Sequence, residues 1–245
     1  MTENFFESQY EIFDAISNIG KFKAPVIDIP NITLPKFDFP DFDYGHLEKC
    51  TTKLSSYGWT LSGEMPINYY LSEHLLDLKP YNIDQYFVNL FEENNQELFN
   101  SIKKAILETI EPKWGELMEM CFSLYDSDSF TVIIPVLITT IEGEISAILG
   151  SFSYGKPLIG EMKKSIKEER FLQIVSYSLC KYLEKSLFKT HHFSNQRRLT
   201  NINRNWVLHG RDDPRQWTKV DALKLLNVIS TLQFIKSCLK EGENI

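Results

Sequence analysis

Residues 218–241 read TKVDALKLLNVISTLQFIKSCLKE, and this run limits the fold more than any other part of the chain. Val220, Leu223, Leu226, Val228, Leu232, Ile235 and Leu239 recur near the 3.6-residue period, so they make one apolar face of a long helix that must be buried. Thr218 stands where an N-cap belongs. A second run, EERFLQIVSYSLCKYLEKSLF, carries Phe171, Ile174, Val175, Leu179, Tyr182, Leu183 and Leu187 at the same intervals. The run FTVIIPVLITTIEGEISAILG, about 130–149, is apolar nearly all round and is expected to be a helix central to a bundle. Its β-branched start (Thr131, Val132, Ile133, Ile134) also suits a strand, but its length and Pro135 favour a helix. A further helix is expected from about Asn195 to His209. Short connections make neighbouring helices antiparallel, so residues 128–245 read as a four-helix bundle in an all-α chain.

Residues 1–127 form a mainly helical N-terminal region. Phe5, Phe6, Tyr10, Ile12, Phe13, Ile16 and Ile19 suggest a short amphipathic helix over 3–20. Prolines 25, 30, 35 and 40 follow at five-residue spacing, which suits neither helix nor central strand. The interleaved Ile, Leu and Phe residues are too apolar for a solvated linker, so 22–44 reads as an extended arm in a groove. It packs on its own subunit or wraps a second one. From 45 to 80 the pattern is weak, and SSYGWTLSGEMP reads as a turn-rich connection. One or two helices then begin near Asn82 or Asp84 and reach Ile110. Another begins at Pro112, whose missing N–H costs nothing in a first turn, and runs to about 126. The DSDS segment at 126–129 closes that block and offers caps for the next helix.

Composition restricts the chemistry. The chain has 245 residues, 43% hydrophobic and 24% charged, as expected of a globular protein. No run approaches the roughly 20 apolar residues of a membrane span, and the acidic start lacks the pattern of a secretory leader. Cys50, Cys121, Cys180 and Cys238 lie far apart, which fits reduced thiols in a cytoplasm. The five histidines have no metal-ligand spacing, so neither a metal nor a cofactor is expected. The net charge is −7, yet residues 189–219 hold seven basic residues against two acidic ones. Such a local basic zone suits phosphate contact, and a solvated basic turn is its plain alternative.

That zone contains NINRNWVLHGRDDP, residues 201–214. Gly210 suits a helix C-cap and Pro214 forbids immediate resumption, so His209 falls at an exposed helix end. Asn205 and His209 are i, i+4 neighbours, and a long guanidinium at Arg204 can swing back towards the imidazole. These residue types suit RNA cleavage by its own 2′-hydroxyl. Histidine moves a proton, arginine holds and stabilises the phosphate, and asparagine orients either one. A single set lacks a second proton-transfer group, which a symmetric homodimer would supply.

The segment RNWVLH, Arg204 to His209, resembles the signature of HEPN ribonucleases: arginine, a polar residue, then histidine, near the end of the third helix of a bundle. LHGRDD followed by WTKVDALKLL, with IPVLITTIEGEI earlier, is similar to a bacterial HEPN group linked to phage defence. The resemblance covers roughly 130–240. It implies metal-independent RNA cleavage by a homodimer whose two motifs form a composite site. The toxin branch governed by a nucleotidyltransferase antitoxin has tyrosine two residues after the histidine, where this chain has Arg211, so that regulation is not expected.

Neighbouring residues complete the expected site. Glu142, in the apolar 130–149 run, is a partner for Arg204 or else faces solvent. Arg197, Arg198, Arg211, Arg215 and Lys219 are candidate RNA contacts, or an ordinary basic surface. His191 and His192 contact RNA or form a solvated connection. Trp206 and Trp217 stack on bases or pack in the core.

Overall fold

A buried helix must find partners for most of the polar groups it carries inward, and this requirement organises the protein. The computed structural model describes residues 43–166, 170–195 and 197–243, and all regular structure among them is helical. The helix expected over 3–20 and the four prolines of the arm lie outside the described residues.

The helices are α1 (Tyr44–Ser56), α2 (Asn68–Leu71), α3 (His74–Asp77), α4 (Pro80–Thr109), α5 (Gly115–Asp126), α6 (Phe130–Leu149), α7 (Gly155–Lys164), α8 (Arg170–Tyr182), α9 (Arg204–Leu208) and α10 (Lys219–Glu243). A π-helical turn, Leu183–Leu187, continues α8, and 3-10 turns fall at Pro112–Trp114 and Pro214–Gln216. α1 starts where Asp43 accepts from the His46 backbone N–H at 2.9 Å. Its buried row of Leu47, Cys50, Thr51 and Leu54 includes a threonine and a cysteine, which weakens the apolar signal in sequence. α4 is broken at Glu93–Gln96, where Asn94, Asn95 and Gln96 take left-handed φ of 47°, 55° and 63°. Asparagine tolerates that conformation better than most residues. Pro112 opens the turn before α5, as its position predicts.

α10 is more completely buried than α6, the helix expected to be central to a bundle. Every residue from Asp221 to Gln233 is buried, whereas Val132 on α6 is 61% exposed. α10 packs against α6, α4 and α8, and α1 packs against α8. Hydropathy misranks the two because α10 buries Lys224, Asn227, Ser230, Thr231, Gln233 and Lys236. Three of these side chains, Asn227, Ser230 and Thr231, serve an internal non-helical segment. Asn227 donates to the Thr60 carbonyl at 2.7 Å, Thr60 and Thr231 share a hydroxyl bond of 2.8 Å, and Ser230 meets Ser62 at 3.1 Å. Lys224 reaches Asp84 on α4 at 2.8 Å, and Trp59 donates to the same carboxylate at 2.8 Å. By length and mean hydropathy, Phe130–Leu149 and Lys219–Leu239 both match a membrane span, contrary to the sequence reading. The second of these stretches is mostly buried by the other helices.

One core joins Leu47, Phe87 and Phe122 to Ile138, Leu179 and Leu226, so residues on either side of 127 share it. The 3-10 turn that precedes α5 lies close against α6. A Cβ on Gly143 would lie 2.6 Å from the Trp114 ring, so a larger residue would displace the indole. The helix expected from Asn195 to His209 is a correction: only Arg204–Leu208 is helical. The preceding stretch is rich in Ser, Asn and Thr, whose side chains compete for backbone partners, and Asn201 and Asn203 are buried doing so.

At the lower part of α10, Glu144 is fully buried and accepts from Gln233 Nε2 at 2.7 Å and from the Glu111 N–H at 3.1 Å. Lys236 lies 3.5 Å from Glu144, 2.6 Å from Glu111 and 3.0 Å from the Thr109 carbonyl. Breaking a buried charged network on one side leaves its other members unsatisfied. Glu144→Ala is expected to lower unfolding free energy by about 3 kcal/mol, as measured by urea denaturation.

Candidate functional site

Asn203 builds the site helix. Its side-chain oxygen caps α9 by accepting from the Trp206 N–H at 3.3 Å. Its Nδ2 donates to the carbonyls of Ser186 at 3.1 Å and Lys189 at 2.9 Å. One amide therefore starts α9 and ties it to the end of the α8 extension. Asn201 adds bonds to the Ser56 carbonyl and the Ser186 hydroxyl, each at 3.3 Å.

Arg204 then points at α6. Its Nε and Nη2 donate to one carboxylate oxygen of Glu142 at 3.2 and 3.0 Å, and its Nη1 donates to Asn205 Oδ1 at 3.0 Å. The other Glu142 oxygen accepts from the Gly155 N–H at 2.7 Å. The Arg204 and Glu142 side chains are 20% and 16% exposed, so the pair is largely desolvated. Of the two sequence alternatives for Glu142, the structure holds the pairing with Arg204. A guanidinium has five N–H donors, and three are used here, so two remain for a ligand.

His209 closes α9 as its C-cap and is exposed. Gly210 follows with φ of 64°, the left-handed stop read from sequence. The imidazole packs edge-on against Phe193, centroids 5.8 Å apart. Among the described residues, no hydrogen bond joins it to Arg204 or Asn205. The three motif residues thus share one short helix, but only Arg204 and Asn205 touch through their side chains.

The basic zone is less uniform than its charge count. Arg198 is paired with Asp212 at 2.9 Å, Arg215 with Asp213 at 2.9 Å, and Lys219 with Glu92. Arg215 holds the Asp213 carboxyl down at about 2, mainly by its side-chain hydrogen bond and then by its backbone N–H. Burial pushes the Asp221 carboxyl up, against the Thr218 bonds that favour its charge. Among the described residues, Lys189, Arg197 and Arg211 of this zone lack ion pairs and are exposed. Arg211 lies over the Phe193 ring, 5.5 Å from its centroid. Arg197 lines an open cleft of about 640 Å³ with His191, Asn195, Arg198 and Thr200.

Trp206 packs rather than stacks on a ligand. It is buried, its indole N–H reaches the His191 carbonyl at 2.9 Å, and the His191 ring lies 4.9 Å away. Trp217 is half-buried and donates to Asp212 at 2.8 Å. His191 stabilises the loop through the Arg197 carbonyl at 2.8 Å, and His192 is exposed. Two residues escape the sequence reading. Asn203 was legible as a cap three residues before Trp206, but not with a helix drawn from Asn195. Phe193 is a lone aromatic in HHFSNQ, with no periodicity to mark it. Among the described residues, no group of three His, Cys, Asp or Glu side chains could hold a metal ion.

Comparison with protein-family models, curated proteins and solved structures gave no match. Asn203→Ala removes the cap and both loop bonds. It is expected to cost about 2 kcal/mol and to speed amide exchange across 200–208, as read by hydrogen–deuterium exchange.

Proposed function

We propose that this chain is a metal-independent endoribonuclease of HEPN type, its helices from α6 onward serving as the HEPN-like bundle. The observation that carries the reading is the Arg204 guanidinium, aimed by Glu142 and Asn205 with two donors unspent, one turn from an exposed histidine. Donors held in advance stabilise developing phosphate charge without reorganising during the reaction.

Arg204 binds the scissile phosphate and Asn205 fixes its orientation. The 2′-oxygen forms a bond to phosphorus while the bond to the 5′-oxygen breaks. One His209 takes the 2′-hydroxyl proton, and a protonated His209 gives a proton to the departing 5′-oxygen. The products are a 2′,3′-cyclic phosphate and a 5′-hydroxyl. Within one protomer a single imidazole is present at the motif, so the two proton transfers use the histidines of a homodimer with facing α9 ends. Arg197 and Arg211, free of carboxylates, guide the RNA backbone. Arg198, Arg215 and Lys219 shape the approach from within their ion pairs. The setting is cytoplasmic, and the role is a toxin-like or phage-defence effector.

A non-catalytic RNA-binding or interaction module is the second reading. It is favoured by the absence, among the described residues, of any hydrogen bond from the His209 imidazole to the Arg204–Asn205 pair; only the His209 backbone N–H reaches the Asn205 carbonyl, at 3.1 Å.

Purified protein is expected to cleave RNA in excess EDTA and to leave a 2′-deoxy substrate intact. His209→Ala is expected to reduce the rate by about 100-fold or more, and Arg204→Ala comparably. Glu142→Ala leaves both motif residues in place but frees the guanidinium, and is expected to reduce cleavage by about 100-fold. Absence of cleavage, or cleavage surviving both Arg204→Ala and His209→Ala, overturns the proposal. RNA binding unchanged by His209→Ala, with no product from wild type, establishes the second reading. Host growth arrested by wild type and not by His209→Ala would support the effector role.

A further inference from the structure

We infer that Phe193 is a stacking platform for an unpaired base beside the scissile phosphate, so that the substrate is single-stranded RNA. The inference rests on the ribonuclease reading for its substrate class and on the structure for its site.

Phe193 is 48% exposed and is flanked in sequence by polar residues, in HHFSNQ. Lone exposed aromatics are common and mean little by themselves. This one is held in place and chemically surrounded. The His209 ring meets its edge at 5.8 Å, Trp206 backs it at 6.3 Å, and the Arg211 guanidinium lies 5.5 Å from its centroid. The loop beneath is fixed by His191 to the Arg197 carbonyl, Asn195 to His191, and Asn203 to the Lys189 carbonyl. The guanidinium covers one face of the ring, so a nucleobase stacks on the part that stays exposed, with its phosphate on the cation.

Duplex RNA cannot use this arrangement. Its bases are stacked and paired, and its 2′-oxygen is not aligned with the departing 5′-oxygen. A nucleotide stacked on Phe193 leaves the helix and gains freedom to reach that alignment. Phe193 is therefore a specificity-determining residue adjoining the motif, reading strandedness and not base identity.

The test uses a short RNA with a 2′-deoxy residue at the cleavage position and 2-aminopurine next to it, single-stranded or annealed to its complement. Wild type is expected to bind the single strand, quench 2-aminopurine, and bind the duplex poorly. Stacking of one base contributes about 1–3 kcal/mol, so Phe193→Ala is expected to weaken single-strand binding about 5- to 150-fold and abolish quenching. Phe193→Leu keeps an apolar contact for His209 but has no π-face, and should behave as Phe193→Ala. Phe193→Trp should behave as wild type. Unchanged quenching and affinity in Phe193→Leu overturns the platform, as does equal wild-type affinity for duplex or no binding to either strand form. The two readings fail separately. His209-dependent cleavage indifferent to Phe193 removes only the platform, whereas Phe193-dependent quenching by a protein that cuts no RNA removes only the nuclease.

Discussion

The bond from Asn227 Nδ2 to the Thr60 carbonyl shows the constraint on which the structure rests. A non-helical segment through Trp59, Thr60, Leu61 and Ser62 lies in the interior, where its backbone groups have no ladder of their own. An unpaired buried carbonyl or amide is costly, so polar side chains meet the segment from two sides: the Tyr70 hydroxyl donates to the Thr60 carbonyl at 2.9 Å and accepts from the Ser62 N–H at 3.3 Å, and α10 supplies the rest. Asn227, Ser230 and Thr231 do so at i, i+3 and i+4, forming a polar row on a buried helix. Lys224 extends the row to Asp84 and lies over the Trp59 ring, 5.7 Å from its centroid. Position along the row fixes the rotation of α10, and α6 packs against the helix so fixed. Glu142 is on α6, so the aim of Arg204 depends, through one helix face, on contacts made far along the sequence.

This dependence explains which parts were legible in sequence. Helices 80–109, 115–126, 130–149 and 219–243 follow from apolar spacing and from proline or N-cap signals, because those signals are local. The rank of α6 and α10 was not legible. Burial of Lys224 and Gln233 depends on partners more than eighty residues away in sequence (Asp84, Glu144), and mean hydropathy counts them as exposed. The stretch before α9 misled for the opposite reason. Leu199, Ile202 and Val207 allow a helical reading, but Asn201 and Asn203 make better bonds to neighbouring backbone than a helix would offer them.

At the site, Arg204 was legible as a candidate partner for Glu142 because a carboxylate in an apolar helix demands one, with solvent exposure as the alternative; the structure holds the pair. Charge density was not legible. Seven basic residues in 189–219 suggest a broad positive face, yet Arg198, Arg204, Arg215 and Lys219 are all held by carboxylates. Exposed pairs such as Arg215–Asp213 contribute little to stability, but they remove net charge from the surface. What remains among the described residues is a small set of exposed cations, Lys189, Arg197 and Arg211.

The two halves of the motif are therefore built to different tolerances. Arg204 is locked by three hydrogen bonds in a largely desolvated setting, whereas His209 stands exposed against one aromatic edge. A group that binds developing charge gains from rigidity, since any reorganisation during the reaction subtracts from stabilisation. A group that exchanges protons needs access to solvent and a partner, and an exposed C-cap supplies both. Under the ribonuclease proposal, exposure also leaves its geometry to be completed by a second chain. In the proposed dimer the second α9 end supplies the missing wall, so assembly itself would order the imidazole and Phe193 would set the space left for a base.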